Sequence, residues 1–264
     1  MKCFFALIAF LCLNALQAQE LTIPVKLLSH AKAGAERFIG TDAFGAEYTI
    51  ADNEFRKLQD GASFKYKNLS YGNIFKADIQ NPLQIVLFYK KFNTAVLLDN
   101  QLNEISHINF SRLTEPVIAE AAGLAAQNKL WIYDITTQQI GLFDTTQNNY
   151  KTITPQLEET IKYYQSGYNY FYWIDSQNRC FAVNLFGKVA SLGSVTDFDD
   201  ILFVSAAAVL LKKEGRLYYY NLKTGSSKPI DIVEKSFMSF FYKEQILSIF
   251  TGSEINHYKI TLPE

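Results

Sequence analysis

The side chains able to do acid–base or nucleophilic work are few in this 264-residue chain, which carries three His and three Cys. His30, His107 and His257 are far apart, each beside apolar residues. There is no His-Glu-x-x-His, no Cys pair at zinc spacing, no Gly-x-Ser-x-Gly and no phosphate-binding loop. A lone His in such a setting reads as a packed or surface residue. Cys180, between Arg179 and Phe181, has no motif-spaced His or Asp and reads as an inert strand residue. Ser29-His30-Ala31-Lys32, Tyr71-Gly72-Asn73 and Lys223-Thr224-Gly225 match in order the three motifs of an acyl-transfer serine site. That chemistry needs the Ser at a helix start in a helical domain, which the sequence does not provide; Lys223-Thr224-Gly225 reads better as a turn after Tyr218–Leu222. Asp197-Phe198-Asp199-Asp200 and the pair Glu158-Glu159 lack the oxygen spacing of a calcium loop, so they read as solvated turns. The dense Tyr163-Tyr164, Tyr168-Asn169-Tyr170 and Tyr218-Tyr219-Tyr220 could line a sugar site, but alternation along strands turns about half of them inward. No catalytic, cofactor-binding or metal-ligating residue is assigned.

The elements that would position any such group can be read from composition and pattern. The chain is 48% hydrophobic and 19% charged, with 16 Tyr and 21 Phe. This is enough for a substantial core and excludes disordered, collagen-like and coiled-coil classes. The near balance of 25 Lys+Arg against 26 Asp+Glu argues against electrostatic nucleic-acid binding. Residues 1–18 have the layout of an export signal: Lys2, the apolar run Cys3–Leu13, then Ala18 at a cleavage position before Gln19. The run is too short to span a bilayer, and no later apolar run reaches about 18 residues. Cys12 lies inside the run after Leu11, so no lipid anchor is expected. Cleavage would leave Cys180 alone, without an intramolecular disulfide. The expectation is an exported bacterial protein of the periplasm or cell surface, with 19–264 forming one domain.

Repetition organises that domain. Short apolar segments recur in pairs: Leu87–Lys90 with Val96–Asp99, Trp131–Asp134 with Gly141–Asp144, and Tyr172–Asp175 with Ala182–Asn184. The pairing returns in Val209–Lys212 with Tyr218–Asn221 and in Leu247–Phe250 with His257–Lys259, and a weaker copy is Phe38–Gly40 with Tyr48–Asp52. The second segments end at 52, 99, 144, 184, 221 and 259, spacings near the length of a four-stranded propeller blade. The reading is all-β: a single six-bladed β-propeller, with the orphan strand Leu21–Leu27 completing the last blade and leaving no exposed edge. Residues 114–126, with Thr114-Glu115-Pro116 ahead of an Ala-rich run, read either as a short helical insertion or as an innermost strand.

The fourth repeat, Tyr172-Trp173-Ile174-Asp175 through Asn184-Leu185-Phe186-Gly187, resembles a blade of the YWTD-type six-bladed propellers, and Trp131–Asp134 is a looser copy. The resemblance implies a propeller fold, with Tyr172, Trp173, Asp175 and Gly187 in structural roles and Asp175 tying strand to turn. It says little about function. The favoured function is a non-enzymatic scaffold presenting its faces to an envelope protein partner, with outer-membrane assembly as the concrete expectation because propellers of similar kind serve there. The alternative is an enzyme or a glycan or small-ligand binder using the central funnel. The residues before each hairpin, Pro82, Asn128, Asn169, Ala207 and Gln245, are uncharged, which favours the scaffold.

Overall fold

A computed structural model describes residues 22–263. The expected export segment 1–18 and its cleavage site at Ala18 and Gln19 lie outside the described residues.

Five of the six apolar pairs are hairpins at the middle of four-stranded antiparallel units. The first unit is β2 (Arg37–Thr41), β3 (Glu47–Ala51), β4 (Glu54–Gln59) and β5 (Ala62–Tyr66). The second is β6 (Lys76–Asp78), β7 (Ile85–Tyr89), β8 (Thr94–Leu98) and β9 (Glu104–Asn109). The third is β10 (Ala119–Ala125), β11 (Lys129–Asp134), β12 (Gln139–Asp144) and β13 (Asn149–Thr152). The fourth is β14 (Ile161–Ser166), β15 (Tyr170–Asp175), β16 (Arg179–Asn184) and β17 (Val189–Ser194). An eight-stranded sheet contains β18 (Asp200–Ser205), β19 (Ala208–Lys213), β20 (Arg216–Asn221), β21 (Ser227–Asp231), β22 (Ser239–Lys243), β23 (Ile246–Phe250) and β24 (Glu254–Ile260). β1 (Ile23–Lys32) joins its two halves. It pairs antiparallel with β24 from Val25 to Lys32, and parallel with β21 at Ile23 and Pro24. The orphan N-terminal strand therefore closes the last unit, as the unpaired edge of the final hairpin requires.

The cores lie between units. Phe88, Leu97, Leu130 and Phe143 pack between the second and third; Trp131, Tyr133, Phe171 and Trp173 pack between the third and fourth. Middle strands such as β7 and β8 are buried along their whole length because both faces meet a neighbouring unit. The junction of the last unit with the first has the smallest core: Phe38, Phe250 and Ile255, with Ala33 and Phe241 against them.

Two expectations need correction. Residues 119–125 form the innermost strand β10, not a helical insertion, and the described residues include no α-helix. Small residues are required there: a Cβ on Gly123 would sit 2.1 Å from Ser166 Oγ and 3.0 Å from Asp78 Oδ2. The weak first copy, Phe38–Gly40 with Tyr48–Asp52, is β2 with β3 and so lies one strand out of phase with the other five pairs. The hairpin in phase with them is β3–β4, whose second strand sets the charged pair Arg56-Lys57 between Phe55 and Leu58 and so reads weakly. Residues 154–159 are irregular.

The Asp and Asn residues that end the apolar segments act as turn formers. Asp99 Oδ1 accepts from Gln101 N and Asn103 N, both at 2.8 Å; Asn184 Oδ1 accepts from Phe186 N and Lys188 N, both at 3.0 Å; Asn221 Oδ1 accepts from Lys223 N and Thr224 N, both at 3.0 Å. A short polar side chain closing its own turn explains why each segment stops where it does.

Candidate functional site

The innermost strands β2, β6, β10, β14, β18 and β22 are neighbours around a central channel. β2 packs beside β22, β18 beside β22, β6 beside β10, and β10 beside β14. Side chains complete the circuit: Gln165 accepts from Phe203 N (2.9 Å) and donates to Phe203 O (3.0 Å), and Arg37 donates to Ile74 O (2.9 Å). The channel holds a cavity of about 410 Å³ lined by five of these strands. This is the size range of a small-ligand site.

Its polar side chains come from all five strands, Thr41 on β2 and Tyr242 and Lys243 on β22 among them. Asp78, on β6, is saturated: it accepts from Gln80 N (3.1 Å), Gln80 Nε2 (3.2 Å), Leu124 N (2.9 Å) and Ser166 Oγ (2.6 Å). Lys76, also on β6, donates to the Tyr164 carbonyl, with its Nζ 3.7 Å from the Tyr164 ring centroid and 5.2 Å from that of Tyr163. Burial draws its pKa down to about 8, against the opposing pull of Asp78 and Asp200. Asp200, at the head of β18, accepts from Ile201 N (2.9 Å) through Oδ1. Burial pushes its pKa up to about 6, while Lys212 and Lys76 partly hold it down. Lys76 and Asp200 line the same cavity without forming an ion pair. Both side chains escaped the reading from sequence. In the sequence Asp200 reads as part of a solvated turn, and Pro82, Asn128, Asn169, Ala207 and Gln245 stand near or in the turns that follow five of the innermost strands. Lys76 and Asp200 both lie one strand before the legible hairpins, on β6 and β18.

None of the three histidines lines this cavity. His30 is on β1, His107 on β9 and His257 on β24. His107 Nδ1 lies 2.9 Å from Glu104 Oε1 on an exposed outer strand. His257 is differently placed. Its Nε2 is 3.0 Å from Glu47 Oε1 and its Nδ1 is 2.8 Å from Ser248 Oγ, a Ser–His–Glu chain that spans the closing junction from β23 and β24 to β3. A nucleophile must meet its substrate, and Ser248 is fully buried and lines none of the cavities described. The chain is a clasp. Cys180 is buried with its thiol pushed up to about 12 by burial, so it is neutral at physiological pH.

The four residues singled out in the fourth repeat form no common pocket with these groups. Tyr172 stacks on Phe203 (centroids 5.1 Å apart) and Trp173 on Phe181 (5.2 Å). Asp175, buried, accepts from Gln177 N (2.9 Å), Arg179 N (2.9 Å) and Arg179 Nε (2.7 Å). Gly187 has φ +80°, and a Cβ there would meet Ile153 O at 2.2 Å. Of the acidic residues, Asp197 accepts from Asn178 Nδ2 (2.7 Å) and Glu159 from Ser176 Oγ (2.8 Å) at the surface.

Large apolar side chains stand out from the loops β5–β6, β7–β8 and β9–β10. Leu69 (76% exposed), Phe75 (45%), Phe92 (50%) and Ile118 (48%) occupy consecutive loops of the first three units. Phe92 packs against Gly72, and Lys90 lies 4.9 Å from the Phe75 ring centroid and pairs with Glu120. Lys91 and Arg112, both exposed, flank the patch.

No protein-family profile matches the sequence, and no curated protein matches it. Solved structures do. A virginiamycin B lyase from Staphylococcus aureus superposes with TM-score 0.57 at 6% identity, over 93% of this chain and 97% of that one. BamB from Moraxella catarrhalis gives 0.53 at 10% identity, over 91% and 99%. YCF48 bound to D1 peptide gives 0.52 at 10%, over 89% and 99%. Together with the channel and the radial units, these likenesses define the fold class: the chain is a β-propeller. At such identities they carry the fold alone. No helix among the described residues is long and apolar enough to cross a membrane.

Proposed function

We propose that this is an exported, six-bladed, single-domain propeller that works as a protein-binding scaffold in the bacterial envelope, with outer-membrane assembly as its setting. The observation that carries this reading is the patch of Leu69, Phe75, Phe92 and Ile118 on one rim. Exposed large apolar side chains on neighbouring loops, beside basic residues, are what a partner-binding surface offers, and aromatic anchors supply most of such binding energy. The export-signal layout of residues 1–18 supports the location. The YWTD-like fourth repeat supports the six-blade count, the eight-stranded sheet being read as two blades bridged by β1.

The test is brief crosslinking of the tagged full-length protein in its own cells, followed by purification and identification of what co-purifies. A stoichiometric envelope protein should be captured, lost in the Leu69→Asp/Phe92→Asp variant and retained in Phe186→Asp, which alters an exposed loop outside the patch. Recovery of a partnerless monomer, or equal capture by both variants, refutes the scaffold reading.

A further inference from the structure

We infer that the central cavity is a binding site for a free amino acid in its zwitterionic form with an apolar or aromatic side chain. This inference stands apart from the scaffold reading and rests on which channel groups are already satisfied.

Most polar groups at the cavity have their hydrogen bonds within the protein. Asp78 accepts four, Ser166 donates to Asp78, Gln80 donates to Leu124 O and Gln165 is clamped to both backbone groups of Phe203. A sugar, which needs many polar partners, would find few here. Two groups remain. The Lys76 ammonium uses one donor on Tyr164 O, leaving two of its three, and Asp200 has no partner for Oδ2 among the described residues. At pH 7 both are charged: Asp200 lies above its pKa of about 6 and Lys76 below its pKa of about 8. Opposite charges sharing a cavity without pairing form a fixed dipole in a poorly solvated space, where electrostatic attraction is stronger than in water. The complement is a compact ligand whose ammonium meets Asp200 and whose carboxylate meets Lys76. Ile39, Leu202 and Phe241 on the same wall provide apolar surface for its side chain. A peptide terminus supplies only one of the two charges.

Titration calorimetry at pH 7 on the whole protein tests this, with L-phenylalanine and L-leucine as probes. N-acetyl-L-phenylalanine lacks the ammonium and L-phenylalaninamide lacks the carboxylate. One-to-one binding of at least one free amino acid is expected, with each blocked phenylalanine at least ten-fold weaker than L-phenylalanine if that probe binds. Asp200→Asn and Lys76→Met, each checked for a native thermal transition, should weaken the binding amino acid at least ten-fold. Asp200→Asn should cost nothing further for N-acetyl-L-phenylalanine. The wild-type comparison needs no variant to fold. No heat from either free amino acid up to about 10 mM, equal binding of the blocked forms, or wild-type affinity in a folded variant overturns the assignment.

Discussion

Gly187 is where a single residue type is most tightly dictated. Its φ of +80° suits glycine, and a side chain there would collide with the Ile153 carbonyl. Gly187→Ala should lower unfolding free energy by about 1–3 kcal/mol in urea titration. Asp175 is a second case: replacement by Ala leaves the amides of Gln177 and Arg179 without their acceptor, and a loss of about 1–3 kcal/mol should follow in the same assay. Asp200 makes a prediction with a sign. Its folded pKa of about 6 lies above the unfolded value of about 3.9, so the folded state holds the proton more tightly. Its contribution is therefore fully present at acid pH and is lost as pH rises from about 4 to about 6. Stability of the wild type relative to Asp200→Asn should fall across that window and then level off. A difference that rises with pH would mean the carboxylate is stabilised, not desolvated.

At the level of elements, legibility tracked burial. Hairpins β7–β8, β11–β12, β15–β16, β19–β20 and β23–β24 stand out in sequence because neighbouring units press on both faces, giving runs such as Leu87-Phe88-Tyr89. The inner strands lack that signature. β6 is three residues, Lys76-Ala77-Asp78, and β10 is built of Ala and Gly where the channel is narrow, a composition that reads equally as helix. The candidate site sits on these least legible strands, so its charged pair could not be seen without the phase of the repeat. β1 was legible by elimination, as an apolar strand without a hairpin partner. It covers the edge of β24 and also touches β21. A chain beginning at Ala33 should expose both edges and self-associate, detectable by light scattering; a monodisperse, wild-type-like product would show that β1 is dispensable.

For the whole ring, closure is the weak point. The junction of last and first units has the smallest apolar core, and the Ser248–His257–Glu47 chain bridges it. Removing one member should loosen that junction before any other. Glu47→Ala is expected to lower the unfolding temperature and to concentrate limited proteolysis at residues 33–36, between β1 and β2. Cuts spread evenly over the loops would show that the clasp is not specific to closure.

The path of β1 also sets an order of events in time. The strand synthesised first finds its antiparallel partner only when β24, the last strand, has been made, some two hundred residues later. A ribosome or a secretion pore delivers the chain from one end, so the early units can form their hairpins while the circle stays open behind them. From Val25 to Lys32 the leading segment must wait without its antiparallel partner until the trailing one arrives. The finished ring thus records synthesis as far as β24: a product truncated before it, however well its first units fold, lacks the antiparallel partner of β1.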